Sequence, residues 1–168
     1  MAYGIDGRST GQTYNAYSNP RKPSNSAGKN DFLTDFKIVP KSKYKVHRNG
    51  LKVAVLKEGS GIPLAKGMRL KVNYTGWLET GKKFDSSVGK GKPFEFTLGT
   101  GQVIKGWEEG MAGIKPGERR QLVIPARLGY GNRGTGKIPP NSTLVFNVEA
   151  IAVEAAPAGE KSNISVRA

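Results

Sequence analysis

Alternation of apolar and polar positions begins at Gly50 and recurs, with interruptions, as far as Glu154. In GLKVAVLKEG, Leu51, Val53 and Val55 alternate with polar or small residues, the period of two expected of a half-buried strand. RLKVNYTGWL repeats the pattern with Leu70, Val72 and Tyr74, and a glycine turn of hairpin type, ETGKKF, follows. PFEFTL sets Phe94, Phe96 and Leu98 against Glu95 and Thr97. RRQLVIP, after the turn IKPGE, is a further strand, and NSTLVFNVEAIAVE, with its β-branched and aromatic residues, a long final one. One segment departs from this period. After Gly-Thr-Gly, VIKGWEEGMAG reads as a short helix, although Gly106 and Gly110 each cost it ~1 kcal/mol relative to alanine. The pattern predicts an α+β domain of about five antiparallel strands, with the helix covering one face of the sheet.

The flanks read differently. Residues 1–49 are rich in Gly, Ser, Asn and Pro and show no strand or helix period, so they are expected to form a low-complexity extension that buries no core. Within them, DFLTDFKIVP brings Phe32, Leu33, Phe36 and Ile38 close together. It reads as a strand or turn folding back on the domain, with a short docking segment as the alternative. The small, polar residues 155–168 are expected to be a tail.

Composition narrows the chemistry. There is no cysteine in the 168 residues and one histidine, His47, so disulfides, thiolate nucleophiles, histidine triads and multi-histidine metal sites are all excluded. No apolar run approaches the ~20 residues of a spanning helix. The start, MAYGIDGRSTGQ, lacks the charged-then-apolar pattern of a secretory signal, so cytosol is the expected compartment, with the nucleus an alternative and an organelle left open. The sequons at Asn141 and Asn163 are discounted on the same ground. Net charge is +14; residues 1–49 hold 9 basic and 3 acidic side chains, net +6, which favours an acidic partner surface or nucleic acid. No phosphate-binding glycine loop or nucleic-acid-binding motif is present.

Three features could carry function. Trp107 is the largest apolar side chain on the weak helix. A lone tryptophan belongs to a core more often than to a ligand site, yet Gly106, Gly110 and Gly113 around it permit close approach of backbone to sheet or ligand. FDSS puts Asp85 beside Phe84, and GYGNRGTGKIPPNS is a long glycine-rich loop carrying Tyr130. Taken singly, Asp85 reads as a turn residue and Tyr130 as a loop anchor.

KVNYTGWLETGKKFDSS, KPFEFTLGTGQVIKGWEEGMAGIKPGERRQLVIP, LGYG and IPPNSTLVFNVE, in this order and spacing, closely resemble the FKBP family, the peptidyl-prolyl cis-trans isomerases that bind tacrolimus and rapamycin. The resemblance runs from about Gly50 to Glu154. It implies a twisted antiparallel sheet wrapped around the short helix, with Trp107 as the floor of a proline pocket. Phe84, Phe94, Val103, Ile104 and Phe146 would be its walls and Tyr74, Asp85 and Tyr130 its polar members, with Ile138 as an apolar loop contact. The Ile104 N–H and the Tyr130 hydroxyl would hydrogen-bond ligand carbonyls. Residues 132–137, NRGTGK, depart from the family, whose small soluble members carry a longer loop with a histidine. Residue preference around the proline and drug affinity are therefore left open.

The implied activity is rotation of X–Pro bonds in protein clients. It breaks no bond and needs no nucleophile, metal or cofactor, in keeping with the missing cysteines and the lone histidine. A binding or scaffolding module tethered through the basic extension is the alternative, and a nucleic-acid binder a third reading. A single domain with solvated tails is expected to be monomeric.

Overall fold

The computed structural model describes residues 32–155. Expectations for residues 1–31 and 156–168 lie outside that range. The chain divides into two compact units, Met1–Asp35 and Phe36–Ala168. The described part of the first is short, and its residues 32–34 are helical.

The second unit contains β1 (Tyr44–Val46), β2 (Lys52–Lys57), β3 (Arg69–Leu78), β4 (Lys83–Ser86), β5 (Phe94–Thr97), α1 (Lys105–Gly110), β6 (Arg119–Ile124) and β7 (Leu144–Glu154). The strands form one seven-stranded sheet in the order β1-β2-β6-β7-β3-β4, with β5 also on β3. Every pairing is antiparallel. The long β3 serves two partners in turn: Arg69 to Val72 pair with β5, and Thr75 to Trp77 with β4. The five strands read from alternation are present. The two additional ones, β1 and β4, are three and four residues long and carry no fully buried position, so they offered little period to read.

One face of the sheet carries the core. Leu70, Val72 and Tyr74 of β3 point into it, together with Leu122 and Ile124 of β6 and Phe146 and Val148 of β7. Helix α1 lies on this face with Gly106, Trp107 and Gly110 buried. Its glycines are explained by contact distance: a Cβ on Gly106 would lie 2.5 Å from Ile124 Cγ2, and one on Gly110 2.9 Å from Leu122 Cδ1. A side chain at Gly106 would lift the helix from the sheet, and one at Gly110 would require Leu122 to turn aside.

From Thr75 onward β3 loses its alternation and is buried on both faces. The reason lies before Gly50. Residues from Phe36 onward pack across the opposite face of the sheet, the folding back expected of DFLTDFKIVP, so the domain starts ahead of the boundary expected at Gly50. Phe36 meets Trp77, with ring centroids 5.6 Å apart. Gln121, 1% exposed, is the anchor. Its Nε2 donates to Lys37 O at 2.7 Å and to Asn147 Oδ1 at 2.8 Å, while its Oε1 accepts from Val39 N–H at 3.1 Å and from the Tyr44 hydroxyl. Strand register sets Tyr44, Ala54, Gln121, Asn147 and Thr75 in one row across the sheet.

Candidate active site

Between α1 and the β3–β4 end of the sheet is a cleft of about 480 Å³ lined by Tyr74, Phe84, Asp85, Phe94, Gly101, Gln102, Val103, Ile104, Trp107, Tyr130 and Phe146. Trp107 is its hub. The ring centroids of Tyr74, Phe146, Phe94 and Phe96 lie 5.0, 5.3, 5.8 and 5.8 Å from that of the indole, most of them edge-on, an arrangement favourable for aromatic quadrupoles. Trp107 Nε1 is buried and has no hydrogen-bond partner among the described residues. Phe84 and Phe146 meet edge-to-face at 5.5 Å and 89°. They can do so because β3 carries Gly76 there: a Cβ would sit 2.7 Å from both rings.

Polar groups are confined to the rim. The Tyr74 hydroxyl donates to Asp85 Oδ2 at 2.6 Å, and Asp85 Oδ1 accepts from Lys90 Nζ at 3.0 Å and from Ser86 N–H at 2.9 Å. Partial burial works against the Asp85 charge. The hydrogen bonds from Tyr74, Lys90 and Ser86, with the Lys90 charge, outweigh it and hold the carboxyl below its ordinary value. Tyr74 moves the other way: burial first, then its bond to Asp85 and that residue's charge, push its hydroxyl well above the usual tyrosine range. Burial and then the Asp85 charge raise Tyr130 as well. At neutral pH the rim therefore holds one ionised carboxylate and two neutral phenols.

Two of the unengaged donors at the cleft stand at its edge. Neither the Ile104 N–H, just ahead of α1, nor the Tyr130 hydroxyl bonds to any group among the described residues. The loop beside them is fixed from the helix, since Glu108 accepts the Gly99 N–H at 2.6 Å and the Gly101 N–H at 2.9 Å.

Nine of the ten candidate residues thus line a single cleft. Ile138 does not line it. It is 6% exposed, packs in the core, and borders an adjoining groove with Phe84, Asp85, Tyr130, Thr135, Gly136 and Lys137. Gly101 and Gln102 also line the cleft, and sequence reasoning missed them; the Gly-Thr-Gly turn directly before the helix was the available signal. His47 lies outside it, with Nδ1 2.6 Å from Glu109 Oε2, and ties the β1–β2 connection to α1. Among the described residues no group of His, Cys, Asp and Glu could hold a metal, and no helix is long and apolar enough to cross a membrane.

An antiparallel sheet cradling a glycine-rich helix carries an apolar cleft with Trp107 at its centre and hydrogen-bond donors at its edge, a shape and chemistry that suit a compact apolar group flanked by carbonyls. Sequence comparison gives the class a family. The model of the FKBP-type peptidyl-prolyl cis-trans isomerases matches residues 61–151, and the chain belongs to that family. It is 52% identical over 105 residues to the FK506-binding protein of Neisseria meningitidis serogroup B, covering 62% of this chain and 96% of that one. It is 51% identical over 107 residues to human peptidyl-prolyl cis-trans isomerase FKBP2, covering 62% of this chain and 75% of that one. Among solved structures, Escherichia coli FkpA aligns with TM-score 0.65 and 44% identity over 70% of this chain, which spans 54% of FkpA. AtFKBP13 aligns with TM-score 0.63 and 40% identity, covering 67% of this chain and 98% of that one. The activity read from the sequence, peptidyl-prolyl isomerisation, is the activity of this family.

Proposed function

We propose that X–Pro isomerisation takes place in this cleft, with the proline ring on Trp107 and its flanking carbonyls on the Ile104 N–H and the Tyr130 hydroxyl. The observation that carries the assignment is the pair of unengaged donors at the edge of an apolar, aromatic-lined cleft. Phe84, Phe94, Val103 and Phe146 enclose the ring, and Tyr74 and Asp85 order the rim.

The chemistry follows from the peptide bond. Planarity reflects resonance, and rotation costs ~18–20 kcal/mol, so uncatalysed X–Pro bonds turn over in tens to hundreds of seconds. The twisted amide has lost that resonance and is less dipolar. An apolar cleft that removes water from the carbonyl therefore favours the twisted state over the planar one. The two donors hold the flanking backbone in a turn-like pose. Asp85 is no general base in this scheme, because both its oxygens already accept hydrogen bonds. It orients Tyr74 and shapes the field. The basic residues before Gly50 fit a second role, attachment to an acidic protein surface or nucleic acid.

The test is the isomerisation rate of a short Leu–Pro peptide with and without rapamycin. Catalysis inhibited by rapamycin is expected, and in Tyr130→Phe a several-fold weaker affinity for the drug, the loss of one hydrogen bond. A folded protein that leaves the peptide at its spontaneous rate would overturn the assignment.

A further inference from the structure

We infer that the groove beside the cleft reads an acidic side chain flanking the client proline, and that Lys137 is the residue that reads it. The inference rests on the cleft being the isomerase site.

The groove, about 290 Å³, shares Phe84, Asp85 and Tyr130 with the cleft and is completed by Thr135, Gly136, Lys137 and Ile138. A peptide seated in the cleft thus passes its neighbouring residues along it. Lys137 is held there by a tight turn: Thr135 N–H donates to Ile138 O at 2.9 Å, Ile138 N–H donates to Thr135 O at 2.6 Å, and Gly136 has φ +46°. Gly134 N–H donates to Tyr130 O at 3.1 Å, which ties the turn to the rim of the cleft.

Charge decides the kind of partner. Asp85 is the one carboxylate lining cleft or groove, and it is neutralised by Lys90 at 3.0 Å. Lys137 is exposed and has no carboxylate partner among the described residues. The groove therefore presents one uncompensated positive charge beside otherwise apolar and neutral walls. A client glutamate or aspartate next to the proline would meet that charge, and a lysine there would be repelled.

The experiment compares kcat/KM for Glu–Pro and Pro–Glu peptides with their Gln counterparts and with a Leu–Pro reference. Exposed ion pairs of this kind give roughly two- to five-fold effects, so at least one acidic peptide should lead its Gln counterpart by that factor at low salt. The lead should shrink as ionic strength rises. Lys137→Glu should reverse the preference. Lys57→Glu, the same change of net charge on β2, separated from β4 by three strands in the sheet order, should leave it in place. Catalysis of Leu–Pro with no acidic preference at either position overturns the inference alone. So does a preference unmoved by Lys137→Glu or moved equally by Lys57→Glu, since the net charge would then be responsible. No catalysis of Leu–Pro removes the isomerase assignment and this inference together.

Discussion

Gly106→Ala tests whether the helix that carries Trp107 is set by its contact with the sheet. In an exposed helix this change is favourable by ~1 kcal/mol. Here the new methyl would lie 2.5, 2.7 and 2.8 Å from Cγ2, Cδ1 and Cγ1 of Ile124, a side chain with no exposed surface. Overpacking costs about 1–3 kcal/mol. The branch at the Ile124 Cβ keeps its γ carbons from turning aside, so the upper part of that range applies. The balance is a loss of ~2 kcal/mol, read as a lower urea midpoint at unchanged m-value. Isomerase activity should fall with it, because the displaced residue adjoins Trp107. Gly110→Ala is the contrast: its methyl meets Leu122 Cδ1 and Cδ2 at 2.9 and 3.0 Å, the far end of a chain that can turn, so the change should stay within about 1 kcal/mol of neutral. A double-mutant cycle isolates the cause. Ile124→Ala alone should cost about 2–5 kcal/mol. In that background Gly106→Ala should become stabilising by ~1 kcal/mol, a coupling of ~3 kcal/mol between the two positions. Gly106→Ala that is neutral in the parent protein, or equally costly in both backgrounds, would refute the packing argument.

Two further expectations follow from the rim and from the back of the sheet. The depressed Asp85 contributes stability that is present above its ordinary carboxylate range and is lost as pH falls through its folded value, whereas Tyr74 and Tyr130, raised from 10.0, contribute below that value and lose it as pH rises through theirs. The isomerisation rate should therefore be flat between about pH 6 and 9, and a bell-shaped profile in that interval would show a titrating catalytic group. Gln121→Ala removes four hydrogen bonds and leaves buried partners unsatisfied, so it should lower stability by ~3 kcal/mol in urea titration; a change below ~1 kcal/mol would mean that residues 36–44 are not held by this side chain.

What could be read in the sequence, and what could not, follows from how far each signal reaches along the chain. Period-two alternation is local, and the strands that face the core on one side, such as β5 and the first half of β3, are legible from it. Trp107 stood out for a related reason: a large apolar residue among helix-weakening glycines is a local contradiction, and the contact of Gly106 and Gly110 with Ile124 and Leu122 resolves it. The ordered set of motifs carried the site residues. Residues 36–40 were legible as a segment folding back on the domain, but the face they cover and the strand at Tyr44–Val46 were not. That strand is three residues long, and the segment's anchor, Gln121, lies 84 positions from Lys37, so nothing near Tyr44 announces the contact. Ile138, an apolar loop contact by resemblance alone, follows the tight turn at Gly136 and Lys137, packs in the core and borders the groove beside the cleft.

The packing on the back of the sheet bears on the site through β3. Tyr74 and Gly76 face the cleft, one holding Asp85 and the other making room for Phe84 and Phe146. Thr75 and Trp77 face the other way: Thr75 Oγ1 lies 2.8 Å from Ser86 Oγ, and Trp77 packs under Phe36. Successive residues of one strand thus alternate between the cleft and the packing behind it. Asp85 and Ser86 do the same on β4, each bonded to the β3 residue on its own face. The rim hydrogen bond and the Thr75–Ser86 contact on the opposite face are therefore fixed by one register, Thr75 on Ser86 and Gly76 on Asp85, which shifts before Trp77 pairs with Lys83. A shift of one residue would exchange the two faces, removing Asp85 from Tyr74 and placing a hydroxyl at the mouth of the cleft.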